Sequence, residues 1–367
     1  MAADAGASGS SPLFRSLHLD HVELCVTDLE SSSGELVGQY GFAVTADNEG
    51  EAGQTGARSR LLEQGRIRIV LTQGLAPEHR ASAYVAQHGD GVGTLGLGVA
   101  DAAAAFDEAV RRGASPRSEP ERRDGFVTAA IGGFGDVQHV LLQRPDGAAA
   151  TPLPGFRPVS RPAPADGPRL TSMDHFAVCL EAGTLDATCA YYAQVLDFSV
   201  IFEEDIEVGS QAMISKVVQS ASGDITLTLI EPDTRRDPGQ IDEFLKNHGS
   251  VGVQHIAFST DDIVRSVGTM AAAGVGFLET PSAYYRLLEE RSMPRRHSIP
   301  ALRDLNILMD EDHDGQLFQI FTRSVHSRRT LFMEVIERFG ARTFGSNNIR
   351  ALYEAVQLGR DAEESRG

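Results

Sequence analysis

The sequence predicts an α+β protein of two open-barrel domains, each built from a pair of βαβββ modules. Two observations support this fold. The chain repeats itself on either side of a Pro-rich stretch at 151–168. Within each half, a short apolar strand, a helix of roughly three turns and several alternating strands occur twice. Four such modules predict curved mixed sheets, and each pair of modules is expected to wrap a central cleft.

The first module of each half begins with a similar strand. LDHVELCVTDLE (19–30) matches MDHFAVCLEAGT (173–184), and the match sets His21 opposite His175. Apolar residues continue through both segments, as expected for strands that are largely buried. These two segments predict the start of a module in each half.

The second module of each half repeats at a constant offset. GVGTLGLGVADAAAAFDEAVRRGA (91–114) matches GVQHIAFSTDDIVRSVGTMAAAGV (252–275), so that Thr94 aligns with His255. In both copies an Asp or Thr N-cap precedes the helix, and a glycine follows it where a left-handed residue ends a helix. The match therefore predicts a strand followed by a helix at the same place in each half.

The Pro-rich stretch divides the chain. Its six prolines lack apolar periodicity and indicate an extended linker. The predicted division is a flexible tail (1–14), an N-terminal domain (15–150), the linker (151–168), a C-terminal domain (169–357) and a second flexible tail (358–367).

Composition excludes several functional classes. The 367 residues carry a formal charge of −18, which disfavours binding to nucleic acid. The sequence has no apolar run long enough to span a membrane and no secretory signal at its start. Cys25, Cys179 and Cys189 form no CxxC pair, so neither a disulfide framework nor a zinc-thiolate site is expected. A reducing cytoplasm is the predicted compartment.

Three residues in the C-terminal half could form a metal site. His175 and His255 occupy early positions in their respective modules, and pseudo-symmetry would bring both into one cleft. Glu334 lies in the apolar strand LFMEVIER, where burying a carboxylate is costly unless it is paired or binds a metal. The three residues are about 80 positions apart, which is consistent with one ligand from each repeated element.

Two histidines and one carboxylate form a facial triad that leaves three neighbouring positions open, as in non-haem Fe(II) oxygenases. The pattern alone does not separate Fe(II) from Mn(II), or fully from Zn(II). Ordinary core histidines are the alternative interpretation. In the N-terminal half, Thr94 stands where the second histidine would be, so His21 is predicted to be structural and one metal per chain is expected.

Polar side chains interrupt the apolar strands around this triad. They could order the polar end of a substrate, and the phenylalanines could enclose an aromatic ring, although solvent-facing alternation and ordinary core packing are the alternatives. Gln254 directly precedes His255 and would point away from it in a regular strand. The strand residues that could line the cleft in this way, polar and apolar together, are Ser215, Gln219, Thr226, Thr228, Ile230, Gln319, Phe321 and Phe332.

Several segments resemble a known family. VQHIAF, PSAYYRLLEER, GQLFQIFT, LFMEVIERFG and FGSNNIRALYEAV are similar to the 4-hydroxyphenylpyruvate dioxygenase family of the vicinal-oxygen-chelate superfamily. The resemblance extends from about residue 17 to 357 and is densest after 173. It implies two glyoxalase-like domains, of which only the C-terminal one binds metal, and it implies homodimers or tetramers, of which we expect a dimer.

The resemblance also implies a site and a reaction. One Fe(II) per chain would bind at His175, His255 and Glu334, with the 2-keto acid bound through its carboxylate and keto oxygens and O2 at the remaining position. Oxidative decarboxylation would release CO2. The residues that match the family's substrate pocket are Ser215, Gln240, Gln254, Gln319, Phe321, Phe332 and Asn348.

Three departures from the family pattern bear on the product. Family members that make homogentisate have Pro-x-Asn where this chain has Thr228-Leu229-Ile230, and Asn-Phe where it has Asn348-Ile349. In these positions the chain resembles the 4-hydroxymandelate synthases of hydroxyphenylglycine and glycopeptide-antibiotic pathways. The expected reaction is therefore benzylic hydroxylation of 4-hydroxyphenylpyruvate to (S)-4-hydroxymandelate, with homogentisate formation as the alternative.

The last predicted helix could cover the cleft. NNIRALYEAVQL is amphipathic, and the family implies that it forms a lid over the cleft.

Two other functions are alternatives to a dioxygenase. A metal-dependent isomerase or lyase of the same superfamily is a second hypothesis, and a non-catalytic binding module is a third. A triad complete within one half favours the dioxygenase over both.

Overall fold

The structure is a computed structural model that describes residues 11–145, 147, 152–161, 166–291, 293–345 and 348. Within these residues the chain forms a nine-stranded and an eight-stranded sheet. The strands of the first sheet are β1 (His18–Cys25), β2 (Ala43–Asp47), β3 (Ala57–Gln64), β4 (Ile67–Gly74), β5 (Gly91–Gly98), β6 (Pro116–Arg123), β7 (Phe126–Gly132), β8 (Gln138–Gln143) and β9 (Arg157–Arg161). Those of the second are β10 (Leu170–Cys179), β11 (Ser199–Val208), β12 (Gln211–Gln219), β13 (Thr226–Pro232), β14 (Gly252–Thr260), β15 (Leu308–Glu311), β16 (Gln316–Phe321) and β17 (Phe332–Phe339).

Helices flank the strands in an order that repeats between the two halves. One short 3-10 turn, Glu49–Glu51, precedes the third helix. The α-helices within the described residues are α1 (Pro12–Arg15), α2 (Leu29–Gly38), α3 (Ala52–Thr55), α4 (Arg80–His88), α5 (Ala102–Arg111), α6 (Leu185–Leu196), α7 (Gln240–His248), α8 (Ile263–Ala272), α9 (Ser282–Arg291) and α10 (Ile299–Asp304).

Strand order confirms the four predicted βαβββ modules. In the second sheet the order is β11-β12-β13-β10-β14-β17-β16-β15. The first strand of each module pairs in parallel with its last strand, as β10 does with β13 and β14 with β17. The two modules join through the antiparallel pair β10–β14. The first sheet repeats this arrangement and adds β9 at one edge.

Two segments differ from the predicted division of the chain. Helix α1 lies inside the predicted N-terminal tail, and its Phe14 is fully buried beneath the Arg112 guanidinium. Strand β9 lies inside the predicted linker and pairs with β2. Both segments are ordered by contacts with distant parts of the chain, which local composition does not reveal. Most of the predicted lid helix and the second tail fall outside the described residues.

The two halves share one apolar core. Phe42, directly before β2 of the first sheet, and Phe258 of the second sheet are 6.1 Å apart between ring centroids, and a single buried cluster includes residues of both sheets. Helices α4 and α7, which occupy corresponding positions in the two halves, meet through stacked rings of His88 and His248 with centroids 4.3 Å apart. These two helices were not predicted from the sequence. No helix in the described ranges is long and apolar enough to cross a membrane.

Candidate metal centre

Three neighbouring strands bring the predicted triad together. In the register of β10, β14 and β17, His175, Ala257 and Glu334 form one row across the sheet. Ala177, His255 and Phe332 form the adjacent row on the same face. Two histidines and a carboxylate therefore converge at the centre of the sheet, as the sequence predicts.

The ligand atoms of the triad lie close together. Glu334 Oε2 is 3.4 Å from His175 Nε2 and 3.2 Å from His255 Nε2. One potential ligand atom from each residue lies within 4.8 Å of the others, and all three residues are buried. Among the described residues, no other group of three His, Cys, Asp or Glu side chains converges in this way.

A carboxylate outside the triad orients His175. Asp174 Oδ1 accepts a hydrogen bond of 2.9 Å from His175 Nδ1, so Nε2 is the ring atom that faces Glu334. Arg338 donates two hydrogen bonds of 2.8 Å to Asp174, one to each carboxylate oxygen. A β-bulge at Asp174 places it beside His175 opposite Ala257. A second carboxylate that fixes the tautomer is typical of histidines that bind metals.

The electrostatics of the triad suit a cation. Burial raises the pKa of Glu334, but the two imidazoles outweigh burial and hold that pKa at about 2. Burial opposes a charge on His175, yet Glu334 and Asp174 raise its pKa to about 9. The pKa of His255 is lowered by burial. The site thus combines a permanently ionised carboxylate with an imidazole that readily carries positive charge.

Glu334 presents only one oxygen to the histidines. Its Oε1 accepts a hydrogen bond of 2.8 Å from Gln319 Nε2, and Oε2 faces the two imidazoles. The Oε1 of Gln319 in turn accepts a hydrogen bond of 2.9 Å from Asn348 Nδ2. The donor set therefore fits a divalent transition metal held by three protein atoms, with the remaining positions open.

Aromatic rings surround the triad. Phe332 stacks on His255 with centroids 5.0 Å apart, and Phe321 meets both rings edge to face. Phe344 packs edge-on against His175 at 5.4 Å. Phe321 and Phe332 were predicted from the sequence, and Phe344 was not.

Thr228 and Ile230 lie on the opposite side of the cleft from these rings. Thr228 pairs with Ala177, which places it in the row of His255, and Ile230 pairs with both Cys179 and Ser215. Ile230 belongs to an apolar cluster with Cys179, Ile206, Met213 and Phe244. The buried Thr228 Oγ1 has no hydrogen-bond partner among the described residues.

Gln254 and Gln240, two further predicted pocket residues, lie on different elements of the C-terminal half. Gln254 sits in a β-bulge opposite Ala177 together with His255, and its Oε1 is 3.4 Å from His255 Nδ1. The expectation that Gln254 points away from His255 applies to a regular strand, which the bulge interrupts. Gln240 begins α7 and lines a small pocket with Ile206 and Met213. Ile349 lies outside the described residues.

The N-terminal copy preserves the backbone of the site without its ligands. His21, Thr94 and Val140 occupy the positions of His175, His255 and Glu334 in the equivalent register. The His21 ring lies directly over Gly96, where a Cβ would collide with it. Glu23 occupies the cleft and accepts hydrogen bonds from Arg80, Thr94 and Thr72. These positions agree with the prediction that His21 is structural.

A cavity of about 740 Å³ opens between the two halves beside the candidate centre. Phe344 forms part of its wall and separates it from His175. Cationic side chains from both halves line it, including Arg66, Arg68 and Arg338. Solvent therefore reaches the outer face of the Asp174–Arg338 pair.

Besides Phe344, three residues that contact the triad or its partners were not identified from the sequence. Asp174 had an available signal, since an Asp-His pair begins the first strand of both halves. The third is Tyr284, whose hydroxyl lies 3.1 Å from Asn348 Oδ1. Arg338 and Tyr284 had no comparable signal, because each reaches its partner from a distant part of the chain.

Comparisons with known proteins assign the family. Residues 19–151 match the family described as "Hydroxyphenylpyruvate dioxygenase, HPPD, N-terminal", and residues 172–320 match the "Glyoxalase/Bleomycin resistance protein/Dioxygenase superfamily". The 4-hydroxyphenylpyruvate dioxygenase of Caenorhabditis elegans is 31% identical over 92% of this chain and 91% of its own length. The enzyme of Yarrowia lipolytica is 30% identical over the same shares.

The chain belongs to the 4-hydroxyphenylpyruvate dioxygenase family. One solved structure is also similar to the chain in sequence and fold. It is a triple mutant of 4-hydroxymandelate synthase from Streptomyces coelicolor, with 43% identity and a TM-score of 0.84 over 94% of this chain and 98% of the other. The family assignment and the vicinal-oxygen-chelate fold expected from the sequence are thereby confirmed.

Proposed function

We propose that this protein is an Fe(II)-dependent 4-hydroxymandelate synthase. It would convert 4-hydroxyphenylpyruvate and O2 into (S)-4-hydroxymandelate and CO2. The observation that carries the proposal is the buried His175–His255–Glu334 cluster in a chain 43% identical to a 4-hydroxymandelate synthase. The same cluster would serve a homogentisate-forming dioxygenase, which is the alternative.

We propose Fe(II) as the metal, because two histidines and one carboxylate are the ligand set of non-haem Fe(II) oxygenases. The two imidazoles and the single-oxygen carboxylate would hold it through three protein atoms and would leave positions for the substrate and O2. Bound Fe(II) would supply the activation of O2 and of the 2-keto acid that oxidative decarboxylation requires. The chain itself holds His175 in place through Asp174 and Glu334 in place through Gln319.

The walls of the cleft suit an aromatic keto acid. Phe321 and Phe332 present ring edges and faces on one side of the cleft, and Ile230 and the apolar cluster around it lie on the other. The unpaired Thr228 hydroxyl supplies a hydrogen-bonding group that a bound substrate can satisfy. The substrate's carboxylate would be received by the metal, so a chain of charge −18 needs no basic patch at this point.

The product depends on which carbon of the substrate is nearest the oxidising centre. Attack on the ring carbon that bears the side chain leads to homogentisate, whereas removal of a benzylic hydrogen leads to 4-hydroxymandelate. Thr228, Ile230 and Ile349 replace the Pro, Asn and Phe typical of homogentisate-forming relatives. A shift of about an ångström in ring position is enough to redirect such a reaction without altering the metal ligands.

Product chromatography tests the proposal. The protein is incubated with 4-hydroxyphenylpyruvate, Fe(II) and ascorbate in air, and 4-hydroxymandelate is the expected main product. Homogentisate as the main product would identify the alternative dioxygenase. Turnover without O2 uptake would instead indicate an isomerase or lyase of the same superfamily.

Metal analysis separates an enzyme from a non-catalytic binding module. We expect His175→Ala and Glu334→Ala to lose both iron and activity. His21→Ala is the matched control, because His21 occupies the corresponding position in the N-terminal copy. Iron retained by both cleft variants would contradict the assigned site.

The proposal also includes the cellular compartment, the oligomeric state and the pathway of the protein. All three cysteines are free and buried, which is consistent with a reducing cytoplasm. A homodimer and a role in antibiotic biosynthesis follow from the resemblance to 4-hydroxymandelate synthases. Sedimentation equilibrium tests the dimer directly.

A further inference from the structure

Tyr284 lies at the end of a hydrogen-bond chain that begins at a metal ligand. It is near the start of α9, and its ring packs beside Phe321 and Leu308. Its hydroxyl accepts a hydrogen bond of 2.8 Å from the Met309 backbone N–H. The hydroxyl proton is shared between the Met309 carbonyl, at 2.7 Å, and Asn348 Oδ1, at 3.1 Å.

The direction of every amide in this chain is set by Glu334. A carboxylate only accepts hydrogen bonds, so Gln319 must turn its Nε2 towards Glu334 Oε1 and its Oε1 towards Asn348. Asn348 therefore donates through Nδ2 and turns its Oδ1 towards the Tyr284 hydroxyl. This orientation also sets Oδ1 3.1 Å from the Met309 carbonyl and Nδ2 3.3 Å from the Asp310 N–H, contacts that favour the reverse. The contact with Gln319 decides between them, because the reversed amide would place two oxygens 2.9 Å apart in a fully buried site. The hydrogen bonds measure 2.8 Å from Gln319 to Glu334, 2.9 Å from Asn348 to Gln319 and 3.1 Å from Tyr284 to Asn348.

The hydrogen-bond chain from Glu334 through Gln319 to Asn348 is buried and closely surrounded. Glu334, Gln319 and Asn348 are each at most 2% exposed. Gly345 passes so near Gln319 that a Cβ at this position would collide with its Oε1. Gln319 consequently has little room to rotate, and its amide can release Glu334 only if the partners behind it move.

We propose that Tyr284 is a positioning residue that fixes Glu334 as a single-oxygen ligand, acting through Asn348 and Gln319. Because Gln319 occupies Oε1, only Oε2 is directed at the histidines. A carboxylate free to bind through both oxygens would occupy one of the three open positions. Tyr284 thus keeps those positions available, and it also attaches Asn348 to the strand β15 through Met309.

Tyr285 provides a matched control. It neighbours Tyr284 on α9, is buried, and donates a comparable hydrogen bond of 3.2 Å to the Ile307 carbonyl. Its hydroxyl bonds the backbone just before β15 and takes no part in the chain to Glu334. Tyr284→Phe and Tyr285→Phe therefore each remove one hydrogen-bonded phenol oxygen from the same helix.

Anaerobic Co(II) titration of the metal-free protein, followed by visible absorption, is the experiment. We expect Tyr284→Phe to weaken Co(II) binding by roughly three- to tenfold, below the effect typical of a direct partner of a ligand, and to change the absorption bands. Tyr285→Phe should retain the wild-type affinity and spectrum. Thermal melting of both variants verifies that each one folds.

A double-mutant cycle with Gln319→Ala tests the route. If Tyr284 acts through Gln319, Tyr284→Phe should have no further effect on Co(II) affinity in the Gln319→Ala background. Additive effects, or a Tyr284→Phe spectrum identical to that of wild type, would overturn the inference. The inference rests on the proposed metal site, and the two fail differently: wild-type protein that binds no Co(II) refutes the site itself.

Discussion

Arg338 donates two hydrogen bonds of 2.8 Å to Asp174, and Asp174 holds Nδ1 of His175. The arrangement fixes which nitrogen of His175 faces the cleft. We expect Asp174→Asn to lower Fe(II) affinity by roughly 10- to 100-fold, because an amide holds the imidazole less firmly and reduces its basicity. Equilibrium dialysis under anaerobic conditions measures the change.

The N-terminal copy supplies the control for this variant. Asp20 holds His21 at 2.9 Å and accepts hydrogen bonds from Arg68 and Arg144, but no triad forms beside it. Asp20→Asn removes a similarly buried charge and should lower stability without altering iron affinity. Equal losses of affinity in Asp20→Asn and Asp174→Asn would mean that the effect arises from general destabilisation.

Thr228 provides a second prediction. Its buried hydroxyl is unpaired among the residues described, and leaving such a group unsatisfied costs roughly 1–3 kcal/mol. Thr228→Val should therefore maintain or raise the melting temperature, while KM for 4-hydroxyphenylpyruvate rises because the hydroxyl's contact with the substrate is lost. A lower melting temperature with unchanged KM would show that the hydroxyl is structural.

Thr226 is the matched position on the same strand. Its Oγ1 accepts a hydrogen bond of 3.0 Å from Gln219, and it is also buried. Thr226→Val should lower stability by about 1 kcal/mol, since it leaves the amide of Gln219 without its acceptor. Comparing the two variants separates a paired from an unpaired hydroxyl on one strand.

Ile230 should influence the product. It lies against Cys179 and Met213 in the apolar side of the cleft, where homogentisate-forming relatives have Asn. We expect Ile230→Asn to increase the share of homogentisate, because a polar side chain here gives the substrate ring a new partner. Quantitative chromatography measures the ratio, and Ile230→Val, which keeps an apolar side chain, should leave it near the wild-type value.

Protonation of buried histidines should limit stability in acid. Burial lowers the pKa of His139 to about 4, against about 6.5 in an unfolded chain. Between these values the unfolded chain binds a proton that the folded protein does not. The free energy of unfolding should therefore decline as the pH falls from about 6.5 towards 4, by roughly 3 kcal/mol for this group.

Urea denaturation across this pH range tests the assignment. His139→Gln should be less stable at neutral pH, because the hydrogen bond of 2.7 Å to Tyr192 is altered, but it should lose less stability on acidification. His248, whose pKa burial also lowers to about 4, should maintain part of the slope. An unchanged slope in His139→Gln would contradict the prediction.

Much of the architecture and the triad could be predicted because both repeat. Matching strands aligned His175 with His21 and His255 with Thr94, and the buried carboxylate at Glu334 was conspicuous within an apolar run. Contacts made across large sequence separations left no such pattern. Strand β9 joins β2, and the Asp174–Arg338 pair joins β10 to β17, through partners that only the fold brings together. The bulge at Gln254 was likewise hidden, because strand alternation assumes regular pairing.

The core shared by the two sheets has a consequence for how the halves stay associated. Their contact, which includes Phe42 against Phe258 and His88 against His248, is formed between two segments of one polypeptide. Tethering replaces a bimolecular encounter with an intramolecular one, at an effective concentration in the millimolar range for a short connection. The N-terminal half therefore acts as a permanently attached subunit, whose support for the other half is independent of how dilute the protein becomes.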